Sequence, residues 1–194
     1  MARDRASRPE AKPQRLFVAI TIPERAAEAV EEAMQPWQEA FPRARWVPRA
    51  NWHVTVQFLG WTYPRLVPWV RGRLAEVAAR TPLLETRVRG VGAFPSVRRA
   101  RVLWAGLDDD GSLTGLAGAV SASLAREFQP ESRPFSAHLT VARSDPPISL
   151  PASYSETALE SEPFAVEVVT LMRSHLRRPA PVYEPVGEFT LSGS

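Results

Sequence analysis

One supersecondary unit is written into this chain twice. Arg15-Leu-Phe-Val-Ala-Ile stands 38 residues before His53, and Arg101-Val-Leu-Trp-Ala-Gly stands 37 residues before His138. Between them lie a helix-like stretch and a Pro-containing turn, with Glu24 to Phe41 as the helix of the first copy and Ser112 to Phe128 as that of the second. Each copy ends in a strand reading His-x-Thr-x: His53-Val-Thr55-Val and His138-Leu-Thr140-Val. Such a unit has one apolar sheet face that it cannot bury alone, and two copies bury theirs by packing about a pseudo-twofold axis. Side chains alternate along a strand. His53 and Thr55 therefore share one face, as do His138 and Thr140, while Val54, Val56, Leu139 and Val141 point the other way. Equivalent faces meet across the axis, which predicts that the two imidazoles converge on one cleft.

The remaining pattern fits around these units. Arg15 to Pro23 reads as a buried strand, and Glu24 to Phe41 as an amphipathic helix that Pro36 should end or kink. Ala44 to Val47 is a short strand, Asn51 to Gly60 and Phe135 to Arg143 are the motif strands, and Arg65 to Arg80 has helical spacing. Leu83 to Pro95 reads as one strand with a bulge or close approach at Gly90 and Gly92, and Arg101 to Leu107 as another. The run of three aspartates and Gly111 supplies a turn and helix cap. Ser144 to Pro151 is expected as a loop, because Pro cannot join a central ladder. Phe164 to Ser174 and Val182 to Leu191 alternate like a closing hairpin.

Composition narrows the class. The 194 residues, 44% hydrophobic and 23% charged, suit a soluble globule with one core. The absence of cysteine excludes disulfides and thiolate metal ligands. No apolar run approaches the roughly 20 residues of a membrane-spanning helix, so a cytoplasmic location without membrane attachment is expected, as is a monomer. Net charge is +3, and Lys12 is the only lysine. The guanidinium fork suits phosphate, although genomic base composition would produce the same bias. Arg3, Arg5, Arg8 and Lys12 gather in residues 1–14, which reads as a disordered basic tail before a domain at 15–194. The folded part is then nearly neutral, which argues against a broad non-specific nucleic-acid surface.

Two imidazoles and two hydroxyls, with no carboxylate in either motif, make a poor metal site. Asp145 and His175 could add ligands but belong to neither motif, and His175 lacks a Thr at +2. No Ser-His-Asp relation is evident. Facing imidazoles are suited to concerted proton transfer, one accepting a proton and the other donating to a leaving oxygen. In-line displacement at phosphorus needs such a pair on opposite sides, with donors on the non-bridging oxygens. Thr55 and Thr140 fit the donor role. Arg143 is a further candidate phosphate ligand, but five residues beyond His138 its direction is not fixed by spacing, and a surface ion pair would also explain it. Phe17, Trp46 and Phe58 could stack on a base, with the core as their ordinary place.

Together, RLFVAI, RWVPRANWHVTVQFLG, GVGAFPSVRRARVLWAGL, RPFSAHLTVAR and LMRSHLRRPAPVYEPVGEFTL resemble the RNA 2′,3′-cyclic phosphodiesterases, or 2′-5′ RNA ligases, of the two-histidine phosphoesterase superfamily. The resemblance runs from Arg15 to Leu191. It implies a bilobal α+β fold, with two pseudo-symmetric antiparallel sheets flanking a cleft, helices outside, and neither metal nor other cofactor. It further implies hydrolysis of the 2′,3′-cyclic phosphate of an RNA end or cyclic nucleotide to a 2′-phosphate, in some members with reversible 2′-5′ joining of RNA. His53 resembles the general acid and His138 the base, and Thr55, Thr140 and Arg143 resemble phosphate ligands. Ala137 departs from the Pro that many members carry before the second His, and the basic tail is an addition. Another cyclic or 2′-5′-linked nucleotide as substrate, or an RNA-binding module without turnover, are the competing readings.

Overall fold

The computed structural model describes residues 12–193. Most of the expected tail lies outside them; Lys12 and Pro13 have no regular structure. In chain order the elements are β1 (Gln14–Ile20), α1 (Glu24–Ala40), β2 (Arg45–Trp46), β3 (Val54–Thr62), α2 (Val67–Ala78), β4 (Leu84–Thr86), β5 (Val88–Phe94), β6 (Ala100–Leu107), α3 (Ser112–Leu124), β7 (His138–Ile148), β8 (Phe164–Val166), β9 (Val168–His175) and β10 (Val182–Thr190).

The expected α+β architecture with antiparallel pairing is present, and its halves join at one point. β10, β9, β1 and β3 form one half-sheet; β7, β6 and β5 form the other, with β2 on the β7 edge. Val54 opposite Leu139 is the one residue pair linking β3 to β7, and both are fully buried. β1 lies between β3 and β9 just as β6 lies between β7 and β5, so the duplicated sequence becomes a duplicated sheet. Leu16, Val18 and Ile20 from the first half and Leu103, Ala105 and Leu139 from the second enter one core with Val30 and Met34 of α1, Leu74 of α2 and Leu113 and Leu124 of α3. At about 25 cal/mol per Å² of apolar surface, this shared burial is the main force holding the halves together.

Four expectations need correction. Pro36 does not end α1, which runs on to Ala40. The carbonyl its missing N–H leaves without a helical partner belongs to Glu32, and both residues are exposed, so water can serve it. Leu83 to Pro95 is not one strand but β4 and β5, separated at Arg87, whose carbonyl accepts from Asp108 N at 2.9 Å. Phe164 to Ser174 likewise divides at Glu167, whose carbonyl accepts from Leu191 N at 2.8 Å. β4 and β8 leave the main sheet and pair with each other; unbroken alternation carries no mark of such a corner. Finally, β7 continues to Ile148 where a loop was expected. Its pairing with β6 jumps from Arg143 to Ile148, so the two prolines pass through without having to donate.

Two of the three aspartates, Asp109 and Asp110, cap α3, whereas the Asp108 carboxylate faces Arg87 and Arg89. Asp109 accepts from the N–H groups of Gly111, Leu113 and Thr114 at 2.9, 3.0 and 3.1 Å, meeting donors that a helix start leaves open. Replacing Leu139 with Ala removes the core half of the junction and should lower unfolding free energy by about 3 kcal/mol, measured by urea denaturation. A loss below about 1 kcal/mol would show that the junction is not a packing centre.

Candidate active site

Both motifs stand where the half-sheets meet. His53 immediately precedes β3, and His138 opens β7. β1 sets Val18 against Gln57 but Ala19 against Thr55, leaving Val56 over; β6 sets Leu103 against Ala142 and Trp104 against Thr140, leaving Val141 over. Each motif thus ends in a β-bulge at the same place, and the extra residue reverses the alternation beyond it. Before the bulge the His and Thr side chains are half-buried and Val54 and Leu139 are buried, as expected. After it, Gln57 and Ala142 turn inward, while Phe58 and Arg143 turn outward. The bulge settles the direction that spacing left open: Arg143 joins the face of His138 and Thr140. Phe58, 57% exposed, takes the equivalent position beyond His53 and Thr55.

The imidazoles are held alike. His53 Nδ1 lies 2.8 Å from the carbonyl oxygen of Asn51, and His138 Nδ1 lies 2.7 Å from that of Ser136. A carbonyl only accepts, so Nδ1 carries the proton in both rings and Nε2 is left to exchange one with a ligand. Aromatic rings complete the clamps. Phe17 and Tyr183 stand 4.8 and 5.1 Å from His53 between ring centroids, and Phe94 and Trp104 stand 5.1 and 6.4 Å from His138. In each clamp one ring comes from the strand beside the motif and one from an outer strand. Gly92 lies opposite Trp104, and a Cβ there would overlap the indole. Asn51 has a second role, since its Nδ2 donates to the carbonyl of Pro181 at 2.7 Å and pins the β9–β10 connection beside His53.

The electrostatics show which groups converge. Burial is the largest cause pushing the His53 pKa below its ordinary 6.5, and the positive charges of Arg143 and His138 push it further down, against the Asn51 hydrogen bond. Burial also leads in lowering His138, again reinforced by Arg143 and opposed by its backbone hydrogen bond. Burial raises Tyr183, with Arg143 and Arg15 acting the other way. The charge of Arg143 therefore reaches His53, His138 and Tyr183 alike, and no carboxylate is among the causes of these three shifts. The site is built to be neutralised by an anion.

Other candidates lie elsewhere. His175 bonds Glu184 at 2.7 Å through Nε2, an exposed pair on the outer hairpin. Asp145 pairs with Arg101 at 2.8 Å. Among the described residues no three His, Asp or Glu side chains gather as a metal-binding group. Phe17 is buried, 3% exposed, and Trp46 is half-buried with its Nε1 donating to the Phe41 carbonyl. Among the described residues, no helix is long and apolar enough to cross a membrane.

Residues 22–178 match the model of the 2′-5′ RNA ligase superfamily. The chain belongs to this superfamily. It is 31% identical to the RNA 2′,3′-cyclic phosphodiesterase of Thermus thermophilus over 92% of this chain and 91% of that one. To the Geobacillus stearothermophilus RNA 2′,3′-cyclic phosphodiesterase it is 28% identical over 92% of this chain, but it spans only 57% of that relative's length. The crystal structure of E. coli LigT complexed with 3′-AMP superposes with a TM-score of 0.71 at 26% identity, covering 93% of this chain and 99% of that one. The Ala137 carbonyl, just before the second His, accepts from Leu107 N at 3.1 Å.

Both imidazoles should titrate below 6.5 in NMR spectra of the free protein, and Arg143→Gln should raise both values, because it removes a positive charge that lowers each. Unchanged titrations in the variant would contradict the shared field. Since the folded values lie below the unfolded one, the histidines' contribution to stability is intact above pH 6.5 and is lost as pH falls through the folded values.

Proposed function

We propose that the protein hydrolyses the 2′,3′-cyclic phosphate of an RNA end or nucleotide to a 2′-phosphate. The observation that carries this reading is the pair of imidazoles with Nδ1 bonded to a carbonyl and Nε2 free, both within the field of Arg143. The relatives' activity points the same way.

In this mechanism His138 Nε2 takes a proton from water as its oxygen bonds to phosphorus. The bond from phosphorus to the 3′ oxygen breaks, and His53 Nε2 gives that oxygen its proton. Each turnover leaves His138 protonated and His53 neutral, and solvent restores both. Thr55, Thr140 and Arg143 donate to the non-bridging oxygens, where charge accumulates. Proton transfer and oriented donors suffice, with no cofactor. A 5′-hydroxyl in place of water would give a 2′-5′ linkage by the same displacement. Phe58 offers an exposed ring on the same face for the base. In this reading the enzyme works as a cytoplasmic monomer.

Purified protein in EDTA should convert adenosine 2′,3′-cyclic phosphate to the 2′-phosphate, followed by chromatography of products; activity lost to chelator and restored by metal would reject the mechanism. His53→Ala and His138→Ala should each cut turnover about a hundredfold or more, and near-normal rates in either would remove that residue from its role. The kcat/KM profile should be a bell centred below pH 6.5, because base and acid both have lowered values in the free enzyme. The kcat profile should lie at higher pH, since bound phosphate offsets the Arg143 charge.

A further inference from the structure

After the Val54–Leu139 pair, β3 leaves the edge of β7 and β2 takes its place. Val47 N donates to the Val141 carbonyl at 2.9 Å, Trp46 lies opposite Ala142, and Arg45 lies opposite Arg143. Residues directly opposite on antiparallel strands project to the same face. Trp46 therefore turns inward with Ala142, and Arg45 turns outward with Arg143. Both arginines are exposed, and among the described residues neither has an ion pair or hydrogen bond. The neighbouring Arg101 and the more distant Arg87 do have acidic partners. Like charges directly opposite each other destabilise a sheet, and nothing in the described fold offsets this pair.

We infer that Arg45 binds a second phosphate, the phosphodiester on the 5′ side of the nucleotide whose cyclic phosphate is cleaved. This rests on the function proposed above, which assigns the scissile phosphate to Arg143. Two cations side by side, one reaching both imidazoles and the other displaced outward along β2, match an anion that carries one charge per nucleotide. The ligand class is a single-stranded RNA end, or a nucleotide bearing a 5′-phosphate, in preference to a bare nucleoside cyclic phosphate. The guanidinium positions the chain and reads no base.

The test compares kcat/KM for adenosine 2′,3′-cyclic phosphate with that for the same compound carrying a 5′-phosphate. The wild-type protein should favour the 5′-phosphorylated substrate about tenfold or more, mainly through KM. Arg45→Gln should bring the ratio close to one, Arg45→Lys should retain part of the preference, and Arg126→Gln, a charge change on a remote surface, should leave the ratio intact. A wild-type ratio of one would overturn the inference. So would an Arg45→Gln variant that loses the same factor on both substrates, because that residue would then serve the scissile phosphate or the fold. Hydrolysis of neither substrate by the wild type would instead defeat the proposed function, and this inference with it.

Discussion

The architecture depends on a single backbone junction. Val54 and Leu139 pair where β3 and β7 touch, and beyond that point the strands part. On the inner side of the junction both residues are fully buried in the common core. On its outer side the residues flanking them are the two histidines and two threonines. Because these neighbours flank the one paired position, the junction brings the two motifs side by side on the outer face. Packing on one face thereby fixes geometry on the other. A longer ladder would close the space that a ligand needs, and no ladder would leave the two motifs unregistered.

Around that junction the two halves share mechanical parts and differ in chemistry. Both use a carbonyl two residues upstream to fix the imidazole, and both use two aromatic rings to shield it. Shielding has a definite electrical effect. It disfavours the charged ring, and Arg143 adds repulsion, so the free site holds neutral imidazoles that readily regain protons beside an anion. Past the equivalent bulges the copies diverge, with an apolar ring at Phe58 and a cation at Arg143. A nucleotide has the same asymmetry, a flat base at one end and phosphate at the other.

Much of this was legible in the residues. The repeated strand-helix-strand pattern gave the two halves, and period-two alternation gave the faces of His53, Thr55, His138 and Thr140, because these depend on local geometry. The direction of Arg143 was not legible, since a one-residue bulge leaves no mark in composition yet turns everything after it. Tyr183, Phe94 and Trp104 were missed for another reason. They reach the histidines from strands distant in sequence, and alternation cannot say which aromatic of a half-buried strand crosses to a neighbour. The carbonyl locks were hidden too, though both motifs repeat the spacing of two residues. Corners at Arg87 and Glu167 escaped notice because a strand that changes sheets keeps its alternation.

The hydrogen bond from Asn51 to Pro181 joins residues 130 apart in sequence. The same residue holds the His53 ring through its carbonyl, so the imidazole of the first copy is moored to the far hairpin, whereas the corresponding carbonyl in the second copy belongs to the exposed Ser136. Each half of the duplicated frame is therefore held from outside its own repeat, the first motif by a side-chain bond to the far hairpin and the second by the backbone of β2. The hold on the His53 ring is thereby answerable to the last strands of the chain, some 130 residues away.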